Sequence, residues 1–279
     1  VSARVVLIGT KGGPAVRPGG ALPTSSLLEM DGQRIVVDCG IGVTAGLARA
    51  GVSPRDLDAI FITHLHSDHV LELGPLIHTA WTTGLNRKLR VYGPPGTGAY
   101  WQGFLASMAF DNAIRVADEG RMPLDSLIDL VEYSEGTVAE GVTALRVPHP
   151  PVSDCFALKF TGSHVVVFSA DTAFFPPLAE FAKGADLLIH EAMLPEAVEA
   201  LIARTGLGDK LRAHLHASHS TAEQAARIAT MAGVKHLALN HLIPADDPAF
   251  NETHWQAAVA PHWHGRLTLG RDGLSINVE

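Results

Sequence analysis

Thr63-His64-Leu65-His66-Ser67-Asp68-His69 follows directly on the apolar run Asp58-Ala59-Ile60-Phe61-Ile62. The apolar run reads as a strand buried on both faces, the kind found in parallel or mixed sheets covered by helices. The stretch after it packs four ligand-type side chains, His64, His66, Asp68 and His69, into six positions. Neither a strand nor a helix points all four the same way, so the segment is a turn that folds them toward a common centre. Imidazole together with carboxylate suits Zn²⁺ or a similar first-row divalent ion. Four ligands from so short a loop fill a single tetrahedral site poorly, and the pairs His64/His66 and Asp68/His69 read better as serving two neighbouring metals.

Further ligands are expected where later strands exit into loops, the usual place for a site in layered α/β structures. His149 follows the run Val142–Val147, Asp171 follows Val165–Ala170, and His241 follows His236–Asn240. Other strands are expected at Val5–Ile8, Ser26–Met30, Arg34–Asp38, Leu89–Tyr92, Phe156–Phe160, Leu187–His190 and Leu267–Leu269, with Asp31-Gly32 marking a hairpin. Helices are expected at Val43–Ala50, Pro75–Thr83, Thr97–Phe110, Pro177–Lys183, Pro195–Arg204 and Thr221–Met231. Buried strands alternating with helices, together with early hairpins, give an α/β fold of two mixed sheets packed face to face with helices outside. No linker divides the chain, so one domain is expected over residues 1–279.

The 279 residues carry 21 Lys+Arg against 29 Asp+Glu, a net charge of −8, which argues against a nucleic-acid surface because phosphate binding leans on clustered cations. Cys39 and Cys155 cannot make a disulfide framework and fit a reducing compartment. No apolar run approaches the roughly 20 residues that span a bilayer. Residues 1–9 do not read as a signal peptide, so a cytoplasmic location is expected, or a periplasmic one if an upstream signal was removed.

Taken together, these segments resemble the metallo-β-lactamase superfamily of binuclear metallohydrolases, in particular the branch holding ribonuclease Z, arylsulfatase-like hydrolases and related phosphodiesterases. The resemblance covers nearly the whole chain through Leu7-Ile8-Gly9-Thr10, Val37-Asp38-Cys39-Gly40, the His64–His69 motif, Ser169-Ala170-Asp171-Thr172, Leu188-Ile189-His190-Glu191-Ala192, His219-Ser220-Thr221 and the strand to His241. It implies a four-layer αββα sandwich and two divalent ions, zinc first, with Mn²⁺ or Fe²⁺ as alternatives. One ion would take His64, His66 and His149 and the other Asp68, His69 and His241, with Asp171 bridging both. It also implies catalytic assistance from His190, Glu191 and His219 beside Asp68, and a homodimer.

The chain departs from ribonuclease Z in two places. Only 22 positions separate His149 from Asp171, leaving no room for a long tRNA-gripping arm, and Leu242-Ile243-Pro244 does not match the Ser/Arg-containing continuation. With the acidic charge, these departures predict a small-molecule ester as substrate, with no nucleic-acid and no membrane partner. The expected activity is hydrolysis of a small sulfate or phosphate diester by a metal-bridging hydroxide, formed because two divalent ions bring the pKa of water to about 7. A lactonase or carboxylic-ester hydrolase is the alternative, and a non-catalytic metal- or ligand-binding protein a further one.

His219 is the candidate proton donor. Ser220-Thr221-Ala222-Glu223 has capping-box spacing, which would set His219 just before a helix N-terminus whose dipole favours the neutral ring. Asp38 and Glu191 are candidates to orient ligand imidazoles. Other features carry less. Gly93-Pro94-Pro95-Gly96-Thr97-Gly98 lacks the Lys-Ser/Thr of a phosphate loop. His214-Leu215-His216 has metal-like spacing with nothing else to support a third site, and Trp81, Trp101, Trp255, Trp263 and Phe110 are core residues by default.

Overall fold

Strand β4 (Ala59–Phe61), which delivers the His-rich turn, is hydrogen-bonded on both sides within a seven-stranded mixed sheet. In the computed structural model, residues 3–206 and 208–279 are described. The sheet runs β14 (Leu274–Val278), β1 (Ala3–Gly9), β2 (Ser25–Met30), β3 (Gln33–Val37), β4, β5 (Leu89–Gly93), β6 (Ile128–Glu132). A second sheet of seven runs β13 (Arg266–Leu269), β12 (His236–Ile243), β11 (Leu187–Met193), β10 (Val165–Phe168), β9 (Phe156–Thr161), β8 (Val142–Arg146), β7 (Gly136–Ala139). The helices are α1 (Val43–Arg49), α2 (Ser67–Val70), α3 (Leu73–Thr82), α4 (Thr97–Ser107), α5 (Ala109–Glu119), α6 (Pro177–Phe181), α7 (Pro195–Thr205), α8 (Gly208–Ser218), α9 (Ala222–Ala232) and α10 (Glu252–Val259).

Three apolar layers follow from the alternation of the strands. Val5, Leu28, Ile35, Phe61, Phe160, Val166, Ile189 and Ala238 fill the space between the sheets. The opposite faces of the first sheet carry Val36, Ile60 and Val91 against Leu47, Leu76 and Trp81 of the helices. The second sheet does the same with Val167, Leu188 and Leu237 against the alanine-rich face of α9. This is the expected four-layer αββα sandwich, and every strand expected from the sequence is present. Asp31 and Gly32 both take positive φ, 53° and 78°, and close the β2–β3 hairpin as a tight turn.

Differences lie at the margins. Strands β6, β7 and β14 and helices α2, α8 and α10 were not expected, and the single helix expected over residues 97–110 breaks at Met108 into α4 and the start of α5, which runs on to Glu119. Trp81, Trp101 and Trp255 are core residues, whereas Phe110 is 80% exposed. The capping box of α9 is Thr221 with Gln224, one residue later than the Ser220/Glu223 pair expected. Gly93–Gly98 is a strand-to-helix turn whose amides at Gly96 and Gly98 donate to Glu132 Oε1, both at 2.9 Å, so the chain supplies its own anion there. No helix among the described residues is long and apolar enough to cross a membrane.

Candidate metal centre

The C-terminal ends of β4, β10, β11 and β12 meet at one end of the sandwich, and the turn after β4 winds into α2. His64, His66, His149 and Asp171 form one set whose ligand atoms all lie within 4.8 Å of one another, and Asp68, His69, Asp171 and His241 form a second. In the first, His66 Nδ1 lies 3.1 Å from His64 Nε2 and 3.0 Å from His149 Nε2, with Asp171 Oδ2 at 3.7 Å from both of those Nε2 atoms. In the second, His241 Nε2 lies 3.1 Å from Asp171 Oδ2 and 3.3 Å from Asp68 Oδ2, and His69 Nε2 lies 3.4 Å from Asp171 Oδ1. All seven residues named from the sequence therefore converge, and six are buried, His66 being the partly exposed one.

The backbone bends to bring them there. Asp38, Ala170 and His241, at the ends of β3, β10 and β12, take φ of 62°, 56° and 45°, a left-handed conformation that side-chain-bearing residues rarely adopt. At His241 the cause is a bulge: Asn240 pairs with Glu191 and Leu242 with Ala192, so His241 has no partner in β11. The extra residue turns an imidazole toward the site that strict alternation would have sent to the helix side. Gly12 packs so closely on this ring that a Cβ there would sit 2.8 Å from His241 Cε1.

Carboxylates and carbonyls hold the outer edges of the rings. Asp38 Oδ2 accepts from His69 Nδ1 at 2.8 Å, and Asp38 itself is fixed by the Thr63 amide at 2.8 Å and the Thr63 hydroxyl at 2.9 Å. His149 Nδ1 donates to the Ser218 carbonyl at 2.9 Å, and the Gly13 amide donates to Asp68 Oδ2 at 2.8 Å. Such partners fix which ring nitrogen is free to bind a metal. Asp38 thus bonds a ligand imidazole as expected, whereas Glu191 Oε2 stands 3.9 Å from His241 Nδ1 and bonds His219 instead.

The electrostatics call for cations. Burial resists charge on His69 and His241, but Asp171 and its neighbouring carboxylates outweigh it, holding His69 well above its usual range and His241 up to about 10. Burial and the surrounding imidazoles push His64 well below the usual value. Buried carboxylates that draw protons onto adjacent imidazoles are a donor set short of positive charge. His69 Nε2 and Asp171 Oδ1 are buried without a hydrogen-bond partner, and both face the cluster. The residues present therefore fit a divalent metal site.

The remaining candidates divide. Glu191 accepts from His219 Nδ1 at 2.9 Å and from the Thr172 amide at 2.6 Å, and the His219 ring stacks on His241 at 5.5 Å. Burial opposes charge on His219, yet Glu191 outweighs it and raises the ring above its usual value. The dipole argument for a neutral ring is thereby corrected: a carboxylate at 2.9 Å dominates a helix end that starts two residues on. His190 is not brought into the cluster. The alternation that turns Ile189 and Glu191 inward sends His190 to the helix side, where Nδ1 bonds the Glu191 carbonyl at 2.7 Å and Nε2 has no partner.

Beside the cluster opens a cavity of about 390 Å³, lined by His66, Asp68, Asp171, His219 and His241 on one side and by Leu201, Leu211, His214, Leu215 and Ile243 on the other. The sequence reading set His214 aside. Its signal was there in the three- and four-residue spacing of Leu211, His214, Leu215 and Ser218, the mark of one helix face.

Residues 18–232 match the family model of the metallo-beta-lactamase superfamily. The chain is 35% identical over 283 residues to ribonuclease Z of Mycobacterium marinum, covering 98% of each. Its fold is similar to the metallo-beta-lactamase fold protein YhfI from Bacillus subtilis, with a TM-score of 0.74 at 24% identity over 99% of this chain and all of that one. It is likewise similar to the short form of human tRNase Z, with a TM-score of 0.68 at 20% identity over 99% of each. The first of these overturns the exclusion of a nucleic-acid partner. An alignment of 283 residues covering 98% of both chains leaves no room for a long inserted arm in that ribonuclease, so the arm's absence here excludes nothing. Net charge fails for a related reason: it sums the whole surface, whereas binding is decided by the local field at the cleft.

Proposed function

Because the chain belongs to the metallo-β-lactamase superfamily and is a metal-dependent hydrolase of ester bonds, we propose that it cleaves phosphodiesters with two divalent ions, zinc being the metal best matched to the donors. Asp171 carries this reading. One of its oxygens faces His64, His149 and His241 while the other faces His69, so a single buried carboxylate belongs to both ligand sets. His64, His66 and His149 would hold one ion and Asp68, His69 and His241 the other. Bound there, divalent ions would polarise a phosphoryl oxygen and lower the pKa of a water to about 7.

The chain's own residues do the rest. Asp38, the Ser218 carbonyl and the Gly13 amide keep the ligands aimed. His219, with Nδ1 tied to Glu191, keeps Nε2 for the cavity it lines, where it would hand a proton to the departing oxygen. The full-length relative is named a ribonuclease, which supports a phosphodiester over a sulfate ester or a lactone. The test is to count zinc per chain and to assay bis(p-nitrophenyl) phosphate, an RNA substrate, p-nitrophenyl sulfate and a lactone. Two ions and turnover of the diesters are expected; faster turnover of the sulfate or the lactone refutes the assignment.

A further inference from the structure

The wall of the cavity opposite the ligand sets takes no part in hydrolysis. Leu211, His214 and Leu215 reach it from a single face of α8, and Leu201 of α7 and Ile243 at the end of β12 complete it. Leu215 and Ile243 are backed by buried Met193, Val198 and Ile202, so the wall is anchored in a small core of its own. The outer face of α8 is polar, with Arg212 bonded to Glu199 at 2.8 Å. A cavity apolar on one side with convergent polar groups on the other is built to hold an organic molecule in one orientation.

The geometry points to a ring-bearing apolar limb of the phosphodiester as the occupant of this wall. The phosphoryl group lies at the ligand sets and its ester substituent lies flat on Leu201, Leu211, Leu215 and Ile243. A methyl limb would leave most of the wall uncovered, whereas the face of a planar ring covers several of the four aliphatic side chains at once. His214 marks the boundary: it is the polar residue of α8 that lines the cavity, and its ring centroid is 6.0 Å from that of His219 and 6.4 Å from that of His149. This inference rests on the phosphodiesterase reading of the site and adds to it the class of substrate.

The test separates the two. Phenyl p-nitrophenyl phosphate and methyl p-nitrophenyl phosphate share a leaving group and differ in the limb that stays on phosphorus. The zinc-loaded protein should prefer the phenyl ester in kcat/KM by about tenfold or more, and Leu211→Gln should bring that preference to within about threefold. In parallel, calorimetry with diphenylphosphinate and dimethylphosphinate, anions with no ester bond to cleave, reads the wall without turnover. The diphenyl anion should bind about tenfold more tightly to the wild-type protein. Equal affinity for the two phosphinates overturns the inference, as does an unchanged preference in a folded Leu211→Gln protein. If neither ester is cleaved while the phosphinate preference persists, the phosphodiesterase reading fails and the apolar subsite is supported.

Discussion

Replacing Asp38 by asparagine keeps the shape of the side chain and removes one acceptor. The carboxylate is 3% exposed and receives two N–H groups, from the Thr63 amide and from His69 Nδ1, each at 2.8 Å. An amide has one oxygen, so in either orientation one of these buried donors faces an NH₂ group. A hydrogen bond to a charged partner contributes about 1.5–3 kcal/mol. Loss of a carboxylate that orients a metal-binding imidazole costs about 10–100-fold in affinity, and tenfold is about 1.4 kcal/mol. The two routes agree on roughly 2 kcal/mol. Because His69 belongs to the set with Asp68 and His241, the loss should fall on one of two binding steps. Zinc competition against a chromogenic chelator resolves the steps, and urea unfolding of the metal-free protein reads the stability loss separately. Affinity within twofold of the parent at both steps, or an equal loss at both, would refute the view that Asp38 acts by aiming His69.

Other expectations can be checked on the same preparation. His219→Ala should lower kcat by about a hundredfold with zinc content unchanged, as expected for loss of a proton donor. His190→Leu should leave turnover within about threefold while lowering the unfolding midpoint modestly, because the buried Nδ1 bond to the Glu191 carbonyl is lost although Nε2 has no partner to lose. Stripping the metal with a chelator should lower Tm by on the order of 10 °C, the scale expected for ions that bind the folded chain alone. Burial and then the Arg266 guanidinium push His236 down to about 4, while in the unfolded chain it titrates near 6.5. Between those values the unfolded chain binds the extra proton. This contribution to stability is therefore full above pH 6.5 and is lost progressively as pH falls to about 4. A urea series over that range should show a shallower acid loss for His236→Asn, and parallel curves would count against the assignment.

What could be read from sequence was what short range encodes. Four ligand types within residues 64–69 force a turn, and the long apolar strands β10 and β11 advertise burial on both faces. The edge strand β7 and the half-exposed β6 carry no apolar run, because one side of each meets water. The polar helix α5 has no residue in the core, and its start merged with the pattern of α4. His241 was named as a ligand from its place after a strand, yet the bulge that aims it exists only once β12 lies against β11. The error over His219 has the same origin: Glu191 lies 28 positions away in sequence, and only the fold makes it a neighbour. The exclusion of nucleic acid failed because a sum over the chain says nothing about where the charges stand.

Ser218 closes α8, and its carbonyl holds the outer nitrogen of His149. The same helix therefore shapes what can enter the cleft, through Leu211, His214 and Leu215, and steadies a ring within it, through its final residue. Anyone regrafting this helix to change selectivity has freedom in its first two turns and a fixed anchor in its last. A transplanted helix that ends one residue early would leave the imidazole free to spin, and the altered protein would lose its grip on metal before it had been offered a new substrate.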